Sequence, residues 1–503
     1  MNADAARPQS ADEHLRQGIG LLQQGRWAEA LTVLEAGLEL DAGQALVHLG
    51  RGTALLELGR PEEALAGYDR AIDLAPGRAD SWMARGRALK ELGQREAALR
   101  SYDRAIALDA NYAEAHCNRA SVLHDLDRWE ESLESYDRAL GIRPQLLQAH
   151  ANRGVLLQGL QRVDAALAAC DAALAIDPSF AQARVNRAMA LLLGGDLERG
   201  WAEFEWRWRT GASRQPPFER LGARPWNGEP LAGRTLLLYP EGGLGDTLQF
   251  CRYAPLLAAQ GARVILAVQG PLETLLAGLA GPALVVGPQD ALPGFEYFCS
   301  LLSLPRLLGT TLATVPAQVP YVRAPGARLQ QWRARLGPRA RPRVGLVWSG
   351  GFRAPQLGLW AANRRRNIPL AALAPLNRPD IEFYSLQKGQ SARAELAEAS
   401  AQNWPGPPLI DLTPQLRDFA DTAALIEQLD LVISVDTSTA HLAGALGKPV
   451  WILNRYDTCW RWLLDRSDSP WYPTARLYRQ GSPGDWAGVV ARVRADLGSV
   501  SLL

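Results

Sequence analysis

Lysine is nearly missing from this chain. Of 54 basic residues only Lys90, Lys388 and Lys448 are lysines, so arginine carries almost all the positive charge. Arginine favours planar, bidentate contacts where such charges are buried. Net charge is also lacking: 54 basic against 53 acidic residues leave +1, which gives no electrostatic case for nucleic acid or an anionic membrane as partner. The five cysteines, Cys117, Cys170, Cys251, Cys299 and Cys459, show no CxxC spacing. That pattern suggests a reducing compartment and no thiol-bound metal. No apolar run reaches membrane-spanning length, and the start, MNADAARPQSADEHLRQG, has no apolar h-region. Neither a transmembrane segment nor a signal peptide is expected, and a cytoplasmic location is. After residue 150 the sole histidine is His441, and no His/carboxylate cluster is visible.

What is present begins with length. At 503 residues the chain exceeds a single core and predicts two to four domains. Its first two hundred residues repeat with a period of 34, clearest in units 45–78, 79–112, 113–146 and 147–180. An earlier unit covers 11–44 and a final one starts at 181. Small residues recur where paired helices approach: Gly18, Gly52, Gly86, Ala120, Gly154 and Ala188, then Ala30, Ala64, Ala98, Ser132, Ala166 and Gly200. This is the tetratricopeptide repeat, and it predicts an all-α solenoid over 11–210 with about six repeats.

Two ladders stand on the first helix of each pair. One is Arg51, Arg85, Arg119, Arg153 and Arg187; beside it run Asn118, Asn152 and Asn186. Asparagine can bond both N–H and C=O of an extended peptide, and arginine can pair a carboxylate or hold a neighbouring repeat. The arginines therefore read either as contacts between repeats or as acceptor-peptide contacts at Arg119, Arg153 and Arg187. The asparagines begin only at the third full unit, which favours a local peptide groove. Tyr68, Tyr102 and Tyr136 read as packing residues, and Asp69, Asp103, Asp137 and Asp171 as a solvated face. The tryptophan-rich WAEFEWRWR (201–209) reads as a sealing cap between the solenoid and the next domain rather than an aromatic box.

Residues 211–233, dense in Gly, Pro and Arg, read as a linker. Then 234–325 alternates as a small Rossmann-like lobe: strand Thr235–Tyr239, a Gly-rich turn Glu241–Gly245, a helix from Asp246 to Ala259, strand Arg263–Val268. The glycine spacing fits neither the dinucleotide nor the Walker A pattern. Asp246 is either an N-cap or a cleft carboxylate able to take a proton from an acceptor.

A second Rossmann-like lobe, 341–495, places Ser349, then Gln387 and Lys388, then Asp436, Thr437, Ser438 and Thr439 at successive strand ends. In an open parallel sheet such ends share one crevice. The stretch DLVISVDTSTAHLAGALGKPVWIL (430–453) reads as strand, polar turn, Ala-rich helix, Gly-Lys-Pro turn and strand. A strand feeding a small-residue helix N-terminus suits a phosphate; a capped helix in one more βαβ unit is the plainer reading. Arg364, Arg365 and Arg366 precede a helix that Pro369 can start.

These pieces carry a resemblance. GGLGDTLQF, VGLVWSG, RRNIPL, FYSLQKG, the segment 418–453 and WRWLLDRSDSPWYPTARLYRQ (460–480) resemble the heptosyltransferase-like glycosyltransferases, family 9-like, in the bacterial branch with tetratricopeptide repeats in front. The resemblance implies a GT-B fold over about 234–495. It implies Asp246 as base, Arg366 as a contact to the donor diphosphate, and Asp436, Thr437, Ser438, Thr439 and His441 as nucleotide-sugar contacts. The repeats also resemble the solenoid of O-linked N-acetylglucosamine transferases, whose asparagine ladder binds peptide. Two stretches depart from the family pattern: GFRAPQLGLWAANRRR after VWSG, and Asp457-Thr458-Cys459-Trp460 where Asp-Trp is usual.

The expectation is an inverting, metal-independent transfer of sugar from a nucleotide-diphosphate donor, a co-substrate and not a resident cofactor. The acceptor is a peptide, protein or glycan. Ser349, Gln387 and Lys388 join the donor set. The alternative is a non-catalytic peptide-binding scaffold with a degenerate transferase-like domain.

Overall fold

The computed structural model describes residues 10–211, 216, 218–350, 357–389, 394–397, 404 and 407–499. Helices run in pairs from Ala11 to Phe204, followed by an α/β region built on two parallel sheets. The chain falls into two compact units, with boundaries at Leu157/Gln158, Leu167/Ala168, Ser179/Phe180 and Ala361/Ala362.

In the first unit the repeat is explained by shape. Tyr68, Tyr102 and Tyr136 are buried on the second helices. A Cβ on Gly52 would lie 2.6 Å from the Tyr68 ring, and one on Gly86 2.5 Å from the Tyr102 ring. Gly18 makes the same room for Leu34. The small residues are thus sockets for a side chain 16 positions later, and interiors this tight do not absorb extra methyls.

The arginine ladder ties neighbouring repeats together. Nε of Arg51, Arg85, Arg119 and Arg153 donates to Glu35, Asp69, Asp103 and Asp137 at 3.0, 2.6, 2.6 and 2.7 Å. Arg85 and Arg119 also reach Ser101 and Ser135 on the following helix. Asp69, Asp103 and Asp137 are therefore partners of the ladder and not merely a solvated face, because each stands one helix before its arginine. These pairs are a quarter or more exposed, so they fix register more than they add stability.

The helices Ala181–Leu193 and Leu197–Phe204, expected as the last repeat, belong to the second unit. Leu192, Leu193, Leu197 and Trp201 join its core. Trp201 meets Phe250 and Trp460 edge-on at centroid distances of 6.1 and 5.0 Å. Within this unit Arg187 pairs with Glu203.

The first sheet has strands β1 (Arg224–Pro225), β2 (Thr235–Tyr239), β3 (Arg263–Ala267), β4 (Leu284–Val286) and β5 (Tyr297–Ser300), in the order β1-β5-β2-β3-β4. Part of the expected linker is thus a sheet strand, and Trp226 and Leu231 beside it are buried. The second sheet has β6 (Arg343–Val347), β7 (Glu382–Ser385), β8 (Ile410–Asp411), β9 (Leu431–Val435), β10 (Val450–Asn454) and β11 (Ala475–Arg479). Its order is β11-β10-β9-β6-β7-β8, parallel throughout. Residues of β6, β9 and β10 are buried along their whole length, as suits strands covered on both faces.

Counting from β6, that order reverses between β6 and β9. Such a reversal opens a crevice at the C-terminal strand ends, where open α/β sheets bind ligands. The first sheet reverses between β5 and β2, but there the crevice is filled. Buried Arg207, from the tryptophan-rich stretch, forks onto Glu241 at 2.7 and 2.9 Å, and Ser300 donates to the same carboxylate at 2.6 Å. Within its own unit, WAEFEWRWR sets Trp201 in the core and Arg207 on Glu241.

Candidate functional site

The crevice of the second lobe is bounded by the turn after β6 and the turn after β9. Arg366 spans them: Nη1 donates to the Asp436 carbonyl at 3.1 Å, and Nη2 to Asn363 Oδ1 at 2.6 Å. A Cβ on Gly350 would collide with this guanidinium, so glycine is what admits the cation to the strand end. Arg364, Arg365 and Arg366 close their own helix, Leu357–Arg366. Pro369 precedes a 3-10 turn, Leu370–Leu376, in place of the expected helix. Arg365 pairs with half-buried Asp457 at 2.9 Å. Residues 351–356, the first part of one departing stretch, lie outside the described residues.

The helix after β9 runs Ser438–Ala445, starting two residues before the expected Ala440. Thr437 holds the N-cap position with no side-chain cap, its hydroxyl being bonded to Ser434 at 3.0 Å. Amides of an uncapped first turn favour an anion. Asp436, Thr437 and Ser438 are half-buried, and Thr439 and His441 are buried.

Gln387 and Lys388 follow the end of β7, and both side chains are bonded to backbone. Gln387 Oε1 accepts from the Trp348 and Ser349 amides at 3.1 and 2.8 Å, so it ties two strand ends together. Lys388 donates to the Leu416 carbonyl at 2.6 Å. Ser349 Oγ bonds the Gly350 carbonyl.

The first lobe meets this crevice through the helix Leu244–Phe250. Gly245 lies against the second-lobe helix: its Cβ would stand 2.8 Å from His441 Cδ2 and 3.4 Å from Ser438 Cα. Asp246 is the third residue of its helix and not the N-cap; its Oδ2 accepts the Gly243 amide at 2.6 Å. Its Oδ1 pairs with Arg461. The helix starts early because this side chain reaches back and satisfies the opening amide.

Sequence reasoning missed Arg461, Gln249, Tyr472 and Arg252. Arg461 donates to Gln249 Oε1 at 2.6 Å and to Cys459 Sγ at 3.2 Å, with Trp460 4.3 Å from its guanidinium. Burial pulls its pKa down, but Cys459, Asp246 and Asp436 together hold it above its ordinary value. The available signal was an arginine between two tryptophans in WRW, a cation in an apolar setting.

His441 is set by three contacts. Its Nδ1 bonds the Tyr472 hydroxyl at 2.9 Å, its ring stacks on Trp462 at 5.5 Å, and its Nε2 lies 3.9 Å from Asp436. Burial takes its pKa from 6.5 down to about 4, against the opposing pull of Asp436. The ring is therefore neutral at pH 7. An unfolded chain takes up this proton near pH 6.5 and the folded one only near pH 4. Stability should thus fall as pH drops through that window, by up to about 3 kcal/mol. Urea midpoints measured between pH 7 and 4 should fall less steeply for His441→Gln than for the parent; parallel profiles would refute the assignment.

In the solenoid, Asn118 Nδ2 lies 3.7 Å from Met83 Sδ, and Asn152 Oδ1 accepts from Gln148 at 2.8 Å. Asn186, in the second unit, accepts likewise from Gln182. Arg119, Arg153 and Arg187 are engaged by Asp103, Asp137 and Glu203. Among the described residues no group of three or more His, Cys, Asp or Glu is placed to hold a metal ion. Among them, too, no helix is long and apolar enough to cross a membrane.

Comparison with known proteins agrees with this layout. Models of the tetratricopeptide repeat match 15–79, 86–127, 113–146 and 152–205. The model of glycosyltransferase family 9 (heptosyltransferase) matches 381–457. A tetratricopeptide-repeat region followed by a heptosyltransferase-like domain is thus present. Protein FlbA of Caulobacter vibrioides is 30% identical over 336 residues, covering 62% of this chain and 54% of that protein. The chain therefore spans about half the length of that relative. Similar solved structures include TTC0263, a thermophilic TPR protein in Thermus thermophilus, at 25% identity and TM-score 0.34, over 36% of this chain and all of that one. Another is YrrB, a TPR protein with an unusual peptide-binding site, at 19% identity and TM-score 0.29, over 35% of this chain and 91% of that one.

Proposed function

We propose that this protein is a glycosyltransferase that moves a sugar from a nucleotide-diphosphate donor to a peptide, protein or glycan acceptor, with inversion and without a metal. The observation that carries this reading is Arg366, held across the strand ends of the β6/β9 crevice beside the uncapped Ser438–Ala445 helix. A guanidinium and a helix N-terminus together suit a diphosphate leaving group. Asp246 takes the proton of the acceptor hydroxyl. The acceptor oxygen bonds the anomeric carbon from the face opposite the diphosphate, whose bond to that carbon breaks. Arg366 and the 436–441 turn receive the negative charge released. Asn118 and Asn152 offer backbone-reading amides for an extended acceptor in the solenoid, and five free cysteines fit a cytoplasmic setting.

A second reading is a peptide-binding scaffold without turnover. It is favoured by Asp246 itself, since both of its oxygens already accept hydrogen bonds. A thermal-shift screen against nucleoside mono- and diphosphates separates the two. A donor-type nucleotide at a hundredfold excess over its Kd should raise stability by about 2.7 kcal/mol, and Asp436→Ala and Arg366→Ala should remove the gain. A flat response to UDP, GDP, ADP, TDP and CMP would leave the scaffold.

A further inference from the structure

Arg461 is a cation with a fixed stem and one directed end. Its side chain is 14% exposed. Nε is held by Gln249, Nη1 by Cys459 Sγ, and the guanidinium lies under Trp460, with Phe250 5.9 Å from it. Only Nη2 turns to Asp246. Asp436 of the proposed donor loop also acts on Arg461, and His441 feels the charges of both Arg461 and Asp246. The helix that carries Asp246 abuts the proposed donor loop, since a Cβ on Gly245 would stand 2.8 Å from His441 Cδ2 and 3.4 Å from Ser438 Cα, so the Asp246–Arg461 pair lies at the edge of that loop.

Asp246 Oδ2 is bonded to the Gly243 amide and Oδ1 to Arg461, so each oxygen already spends one lone pair, and the pairing with a cation lowers the basicity of the carboxylate toward an acceptor hydroxyl. Gln249 is fully buried, yet its Nε2 has no acceptor among the described residues. A buried amide donor left unpaired is costly, and this one belongs to the side chain that positions Arg461.

We propose that Arg461 is a second diphosphate contact and the gate on Asp246: the donor's phosphate and the Asp246 carboxylate compete for the same guanidinium. Binding of donor draws Nη2 from Oδ1, which then faces the acceptor hydroxyl. Order of binding follows, with donor first and acceptor second. This rests on the donor-site reading above, and it adds a residue and a sequence of events to it.

Calorimetric titration of the full chain with inorganic pyrophosphate tests it. Asp246→Asn, which removes the competitor, should tighten pyrophosphate about tenfold, and Arg461→Gln should weaken it about tenfold. The double variant should match Arg461→Gln, because the gain runs through that guanidinium. Arg461→Lys, with charge kept on one nitrogen, should fall between, and serves if the glutamine variant does not fold. An equal gain from Asp246→Asn with and without Arg461 would overturn the gate, as would wild-type affinity in Arg461→Gln. Binding that is lost with Arg366→Ala yet indifferent to Arg461 would leave the donor site standing and sink only the gate. No binding by any variant would sink both.

Discussion

Asp246→Asn should lower sugar transfer by about 10²- to 10⁴-fold, the usual worth of a positioned proton acceptor. Nucleotide binding should survive the change. The substitution keeps size and the Gly243 hydrogen bond, since the amide oxygen can still accept at Oδ2. It removes the charge that engages Arg461 and the oxygen that takes the proton. The two effects have opposite signs: turnover collapses while affinity for a diphosphate holds or rises. A purely structural Asp246 would give neither pattern, because losing the ion pair would loosen both lobes and weaken binding with turnover. The assay uses the nucleotide sugar whose nucleotide gives the thermal shift, and follows release of nucleoside diphosphate at saturating donor. Turnover within threefold of the parent would remove Asp246 from the mechanism.

Arg252→Leu should cost about 3–5 kcal/mol of the second unit's stability. Arg252 is 4% exposed. Its donors go to three carbonyls and a hydroxyl: Gln249 at 2.7 Å, Pro316 at 3.1 Å, Trp471 at 2.7 Å and Tyr321 Oη at 2.8 Å. The rings of Tyr321 and Tyr472 lie 4.5 and 4.7 Å from its guanidinium. The first lobe, the connection and the second lobe all terminate on this one side chain. Leucine would fill much of the volume but leave the buried carbonyls unpaired, which is the costly half of losing a hydrogen bond. Guanidinium titration followed by tryptophan fluorescence reads the change, since Trp471 sits 5.7 Å from the charge. A loss below about 1 kcal/mol would mean that water replaces the guanidinium without penalty.

The parts of this fold that a single sequence discloses are those whose cause is local. The 34-residue period survives because each Gly and Tyr socket pair is 16 residues apart and repeats. The 430–453 unit is readable because β9, its turn and the following helix lie consecutively. The Asp436 loop is singled out for that reason, whereas Asp246 and Arg366 are singled out by the family resemblance. Arg461 and Arg252 were not, because their deciding partners stand 215 and 219 residues away, and no spacing encodes such a contact. Gln387 and Lys388 show what a strand-end position leaves open, namely which groups the side chains meet. Gln387 turns to the backbone of β6's end, a choice set by unpaired amides that only the sheet order reveals. The segment taken for a linker misled through composition, since Gly and Pro mark irregular chain whether or not two of its residues join a sheet.

The arginine ladder bears on how the solenoid can change length. Arg51, Arg85, Arg119 and Arg153 are each bonded to the carboxylate 16 residues before them, so every junction in that stretch presents the same connector on one side and the same receptor on the other. One whole unit can be duplicated or excised there, and each new junction still finds its counterpart. Any insertion that is not a multiple of the unit leaves a plug without a matching jack. Arg187 also pairs with Glu203, in the repeat that belongs to the second unit. The length of such an array is then a quantity adjusted in discrete steps of one unit.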